Sequence, residues 1–168
     1  MMKSLELRWG LIIGGANMLW LFGSYYLGMH DRGLAAIQAI TLVSVMISVM
    51  GYMLAIRALM QDYPETQYLE GIRYGAIIAG IVASIADLSQ VIYFKVVNPG
   101  WTAKMVEMSR LYYLQQGLPE TQAEEYSKAA EKTFGLPSYL LQASLGAIII
   151  GVLSTAIILL IFRKSRKA

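Results

Sequence analysis

The chain has no cysteine and a single histidine, His30. Disulfides, thiolate zinc sites and cysteine nucleophiles are thereby excluded, and a metal centre would lack its usual cluster of His, Cys and acidic ligands. Proline is equally sparse, and Pro64, Pro99, Pro119 and Pro137 all fall outside the long apolar runs or at the entrance to one. No run therefore contains a residue that would break a helix in its middle. Charged residues are only 15% of 168, against 57% hydrophobic ones. There is no GxSxG elbow, HExxH pair, Walker A loop or GxGxxG turn. These absences predict a protein with no metal, no cofactor and no catalytic role.

What is present is lipid-compatible sequence, with a mean hydropathy of +0.51. Residues 9–27, 34–56, 74–94 and 139–162 form continuous apolar runs. Each is near or above the roughly 20 residues a helix needs to cross a bilayer. They lack the alternation of a membrane β-barrel, so helices are the expected spanning form. The first run is too long for a signal peptide and no small-x-small cleavage site follows it. The expected fold is an all-α membrane protein of one domain, residues 1–168, with four transmembrane helices. Tyr25, Tyr26, Tyr93, Trp101 and Tyr139 gather at one set of run ends and Trp9, Tyr52 and Tyr74 at the other, as aromatic residues do at headgroup depth.

Four crossings put both termini on one side. Lys3, Arg8, Arg57, Arg73, Arg163, Lys164, Arg166 and Lys167 all lie on that side, which the positive-inside rule makes cytoplasmic. The basic tail is accordingly read as a membrane anchor, not as a nucleic-acid-binding surface. His30 falls in the short outer turn, where an exposed position is expected.

The connection between the third and fourth runs is too long for a turn and rich in helix formers. Met105, Met108, Leu111 and Tyr112 recur at helical spacing, Gly117 suits a helix end, and Pro119 suits the start of the next helix. The second helix would carry Ala123, Tyr126, Ala130 and Phe134 on one side and an exposed Glu124–Lys128 pair. Residues 102–134 are therefore predicted to form an extracytoplasmic amphipathic helical hairpin. Glu120, Glu124 and Glu125 are read as its solvated face, and Tyr112–Tyr113 as packing or interfacial residues.

Inside a membrane, helices approach closely through small residues. Gly71, Gly75, Ala79 and Ala83 repeat every four residues, and the next member of the series is Asp87. Comparable seams are Gly10, Gly14 and Asn17; Thr41, Ser44, Ser48 and Gly51; and Ala143, Ala147, Gly151 and Thr155. A carboxylate at a bilayer centre costs about 2.5–3.5 kcal/mol on insertion scales and needs a partner, a proton or water. Asn17, Gln38, Gln90 and Gln142 are the polar side chains expected near Asp87. Two readings stand: a proton- or cation-linked site in an outward-facing cavity, or an uncharged aspartic acid that cross-links helices.

Arg8-Trp9-Gly10-Leu11-Ile12-Ile13-Gly14 opens the first span, Gly71-Ile72-Arg73-Tyr74-Gly75 enters the third and Tyr93 to Pro99 leaves it. The polar insertion around Gln116-Gly117-Leu118-Pro119-Glu120 precedes a glycine-containing last span. In this order of elements the chain resembles a family of small bacterial inner-membrane proteins grouped as domain of unknown function 4199. The resemblance implies four helices and a bacterial membrane location, and brings no catalytic residues.

The sequence thus predicts a binding, accessory or assembly component of the bacterial inner membrane. Membrane lipids are its expected surroundings, and a second copy or another membrane protein its expected partner. The competing reading is a small proton-coupled transporter using Asp87.

Overall fold

The computed structural model describes the backbone of residues 2–167 and the side chains of residues 4–33 and 35–162. Lys3 and the basic residues of 163–167, which helped to orient the chain, lie outside those side chains. Six α-helices follow one another: α1 (Met2–Tyr26), α2 (Leu34–Asp62), α3 (Tyr68–Ile92), α4 (Trp101–Gln115), α5 (Glu120–Thr133) and α6 (Leu136–Lys167). A 3-10 turn at Met29–Asp31 joins α1 to α2, and a π-helical turn at Tyr93–Val97 extends α3.

The helix ends have local causes. Gly28 at φ 67° and Gly33 at φ 89° bracket the α1–α2 turn, in backbone conformations that a Cβ disfavours. α3 starts six residues before the expected position because Gln67 and Glu70 form a capping box, with the Gln67 N–H donating to Glu70 Oε2 at 2.9 Å. α4 ends at Gly117, φ 84°, where the Leu118 N–H donates to the Tyr113 carbonyl and the Gly117 N–H to Leu114. That double return is a Schellman motif, and the glycine was legible as a cap.

Among the described residues, three helices are long and apolar enough to cross a membrane: Ala35–Asp62, Tyr68–Val97 and Leu136–Phe162. α1 is as long as α3, at 25 residues. Its Asn17, Trp20, Ser24 and glycines dilute its apolar character, so it falls outside that set of three. The four-span expectation is narrowed to this extent.

The long helices pack in a ring: α1 on α3, α3 on α6, α6 on α2, and α2 on α1. Glycines set the approaches. A Cβ on Gly10 would lie 2.7 Å from Ile81 and one on Gly14 would meet Ile85, so α1 and α3 run parallel. Gly71 faces Leu159, Gly75 faces Thr155 and Ala79 faces Gly151, so α3 and α6 run antiparallel. Two of the small-residue seams read from the sequence are thus the two sides of one interface. Gly51 fits against Ile13, and Gly151 against Tyr52, which completes the ring.

Two apolar clusters form, one at each end of the ring. Ile13, Tyr52, Ile56, Leu59, Tyr74, Ile78 and Leu159 are fully buried at the end where α1 begins and α6 finishes. Tyr93, Phe94, Trp101 and Met105 are buried at the other, beneath the hairpin. The hairpin's inward face keeps part of the expected one, Met105, Met108, Ala123 and Phe134, and departs from it elsewhere. Trp101, Met105 and Ser109 point in from α4, and Ala123 and Ser127 from α5, whereas Leu111, Tyr112 and Tyr126 are exposed. The rings of Tyr113 and Tyr126 meet instead on the hairpin's own surface, with centroids 5.5 Å apart. The Glu124–Lys128 pair forms as expected, at 3.2 Å.

Candidate functional site

Between the two apolar clusters the ring encloses a cleft of about 350 Å³. All four long helices line it: α1 through Asn17, Met18 and Leu21, α2 through residues from Ile37 to Ser48, α3 through residues from Val82 to Tyr93, and α6 through residues from Tyr139 to Ile150. That volume lies within the range of small-molecule pockets, which typically combine apolar walls with a few placed polar groups. Here the walls include Val45, Val82, Ala147 and Ile150, and the polar groups include Asn17, Ser44, Gln90 and Gln142.

Several of those polar groups already have bonds. Asn17 Nδ2 donates to Ser48 Oγ and to the Ile13 carbonyl, both at 3.0 Å, and so ties α1 to α2 at the floor. Ser89 donates to the Ile85 carbonyl at 2.6 Å. Gln142 Nε2 donates to Ser138 Oγ at 2.8 Å, and its carbonyl oxygen accepts no hydrogen bond among the described residues. The Gln90 amide makes no side-chain hydrogen bond among the described residues. It offers both a donor and an acceptor to the cleft.

The roof of the cleft is built on His30, which is only 4% exposed. This corrects the expectation of a solvent-facing histidine. Tyr25, Tyr93 and Trp101 surround the imidazole, with ring centroids 5.8, 5.3 and 5.3 Å away. The hydrogen bonds around it have one consistent direction. Ser24 Oγ donates to the Leu21 carbonyl at 2.9 Å, so it accepts from His30 Nε2–H, 3.0 Å away. Nδ1 is then bare and takes the Tyr93 hydroxyl proton in a short contact, while Asn98 Nδ2 donates to the Tyr93 oxygen at 3.1 Å. The chain runs Asn98, Tyr93, His30, Ser24, Leu21, with a neutral imidazole at its centre. Burial pushes the His30 pKa below its ordinary value, and the Lys104 ammonium pushes the same way. Lys104 is itself paired with Asp31 across the top of the turn.

The sequence could not have located this histidine. Its partner Tyr93 lies 63 residues away, and only tertiary packing brings α3 and α4 over the α1–α2 turn. The other expected site residues divide. Asn17, Gln90 and Gln142 meet around the cleft, but Asp87 and Gln38 do not line it. Gln38 is exposed on the outer surface of α2. Asp87 lies on the α6-facing side of α3, where Ser144 Oγ donates to its Oδ2 at 2.6 Å. Its Oδ1 is buried without a hydrogen-bond partner among the described residues. The packing positions fare differently: Gly10, Gly14, Gly71, Gly75, Ala79 and Gly151 sit at helix contacts, while Ala143 and Ala147 line the cleft.

No group of three or more His, Asp or Glu residues suited to a metal ion occurs among the described residues. No curated protein and no solved structure matches the chain significantly. The segments that opened the first span and flanked the third belong to a longer shared pattern. A family model described as "Protein of unknown function (DUF4199)" matches residues 8–164, and the chain therefore belongs to that family.

Proposed function

We propose that the protein is a binding component of the bacterial inner membrane, crossing it four times, with both termini cytoplasmic and the α4–α5 hairpin outside. The observation that carries the reading is the cleft of about 350 Å³ left between two well-packed clusters. A ring of helices meant only to hold together would gain dispersion contacts by closing that space.

Support for a fourth crossing comes from α1 itself. It runs the length of α3, and its outward face carries Leu11, Ile12 and Leu19, the last 75% exposed. Large apolar side chains on the free faces of α2, α3 and α6, such as Leu42, Met46, Leu88, Leu153 and Leu160, make the same belt. Support for the orientation comes from exposed Arg8, Arg57 and Arg73 at the end opposite the hairpin. The reading is of binding without catalysis, since His30 and Tyr93 spend their polar atoms on each other and on their neighbours.

Native mass spectrometry of the protein extracted from its own membrane tests this. A small molecule retained at one per chain, and lost in Gly146→Phe, is the expected result. Gly146 lines the cleft and a Cβ there meets nothing within 4 Å, so the phenyl ring fills the space without displacing a helix. Equal adducts on both proteins would overturn the proposal.

One observation favours a second reading. The unpartnered Asp87 Oδ1 is a place for a proton, as in a proton-coupled transporter. Solute-driven proton movement in proteoliposomes, abolished by Asp87→Asn, would decide for transport, and flux indifferent to the substitution would decide against it.

A further inference from the structure

The binding reading leaves the occupant unnamed, and the lining of the cleft narrows its chemistry. Among the described residues that line it none is Asp, Glu, Lys or Arg, and the imidazole is held neutral in its hydrogen-bond chain. An ionised ligand would find no opposite charge in a low-dielectric site and would bear its full desolvation cost. The occupant is therefore uncharged.

The way in is also marked. Among the lining residues only Thr41 on α2 and Gln142 on α6 are exposed, whereas His30, Ile40, Val82, Ser89, Tyr93 and Trp101 are buried. Below this level α2 and α6 close on each other where Tyr52 meets Gly151. Above it the aromatic cluster and the hairpin shut the top. The open side is thus the gap between α2 and α6 in the hairpin-proximal half, flanked by the exposed apolar residues Leu42, Leu141 and Leu145. Those side chains face lipid in a membrane-embedded ring, so the mouth opens sideways into the bilayer and not upward into water.

Uncommitted polar atoms lie toward the hairpin end, on Gln90 and Gln142, while at the floor Asn17 Nδ2 and Ser48 Oγ are bonded to each other and Val82 and Ile150 supply the apolar wall. A membrane amphiphile in the adjoining leaflet has the same order, head toward the surface and chain toward the midplane.

We propose, building on the binding-component reading, that the cleft admits an uncharged single-chain amphiphile laterally between α2 and α6, its hydroxyl-bearing head on Gln90 and its chain along Val82 and Ile150.

The test uses Trp101, a cleft-lining indole, as the sole fluorophore in a Trp9→Phe, Trp20→Phe background, reconstituted in nanodiscs. Three probes share one chain brominated near the head: a monoacylglycerol, a fatty acid held ionised at pH 8, and an alkyl trimethylammonium. Saturable quenching by the monoacylglycerol is expected at a mole fraction about tenfold below either ion. Gln90→Leu should raise that fraction several-fold, since it removes the donor and acceptor for the head. Gly146→Phe should abolish saturation. Gly80→Phe, on an exposed face where a Cβ is also unobstructed, should not. Saturable quenching by an ion at least as strong as by the monoacylglycerol would leave a binding site and sink the uncharged amphiphile. So would quenching unchanged by Gln90→Leu. Absence of saturable quenching by all three probes would sink this inference. Retention of a native adduct that Gly146→Phe loses would still uphold the binding reading beneath it.

Discussion

Ser144 donates a hydrogen bond to Asp87 at 2.6 Å, and the pair forms the last rung of the seam on which Gly71 meets Leu159, Gly75 meets Thr155 and Ala79 meets Gly151. The one acidic residue deep in an apolar run is therefore continuous with the packing that joins α3 to α6. It faces a neighbouring helix, with its back to the cleft.

That bond is the one Asp87 makes among the described residues, so removing it leaves neither carboxyl oxygen bonded. Ser144→Ala is expected to lower stability in mixed-micelle unfolding by about 1–3 kcal/mol, the cost of leaving a buried polar group unpaired. Ligand retention should not change, because neither residue lines the cleft. Loss of the bound molecule in Ser144→Ala would contradict this separation of roles.

The seam itself has no room for added bulk. A Cβ on Gly75 would collide with Thr155, so Gly75→Leu must pry α3 from α6 and is expected to cost about 1–3 kcal/mol or more. Gly146→Leu, placed in open space, serves as the internal comparison and should unfold like the parent. Indistinguishable unfolding of the two variants would mean that α3 and α6 do not meet along this line.

The roof should be acid-sensitive. The folded-state pKa of His30 lies below its unfolded value of about 6.5, so the unfolded chain binds the proton more readily. The stability linked to the neutral ring is present above pH 6.5 and is lost as the pH falls through that value toward the folded pKa. Tyr25, Tyr93 and Lys104 face the ring, and the carboxylate of the adjacent Asp31 is paired with Lys104 and not with the imidazole. Melting temperature followed by Trp101 fluorescence in the Trp9→Phe, Trp20→Phe background should fall between pH 7.5 and 5, and flatten when His30→Gln is added. Parallel curves would remove His30 as the cause.

Tyr93→Phe keeps the ring and deletes the hydroxyl, stranding His30 Nδ1 and Asn98 Nδ2 together. Leaving buried groups unpaired costs about 1–3 kcal/mol. Early loss of the roof is expected, with protease cleavage in the α4–α5 hairpin before the ring of long helices opens; a parent-like digestion time course would refute it.

The absence of cysteine makes the membrane topology directly measurable. Single cysteines at Arg32 and Gln122 should react with an impermeant maleimide from outside intact cells, and one at Glu65 only after lysis. Labelling of Gln122→Cys and Glu65→Cys from the same side would overturn the proposed crossings.

The helices were legible because continuous apolar runs and displaced prolines leave few other solutions, and the Gly117 cap because its neighbours suit only a helix end. The seam Gly71, Gly75, Ala79 was legible as a surface, yet its partner was not, since spacing on one helix says nothing about which helix fills it. The start of α3 was placed late because Gln67 and Glu70 cap it from outside the apolar run. The inward face of α4 was misjudged at Leu111 and Tyr112 because large side chains at helical spacing read as core, although Ser109 is buried and Tyr112 is not. His30 was hidden for the reason most sites are: the groups that give it an environment come from elsewhere in the chain.

The wide turn after α3 has a consequence of its own. The Asn98 N–H returns to the Tyr93 carbonyl five residues back, at 2.7 Å, so this turn holds one residue more than regular helical pitch allows. Excising a single codon here, such as that of Val96, would let the coil wind shut and wheel everything beyond it by about 100°. Trp101 would swing off the imidazole and carry the hairpin with it. One surplus residue thus sets the compass bearing of the whole outer lobe, and its loss would be felt as a misaligned lid on an otherwise intact barrel of helices.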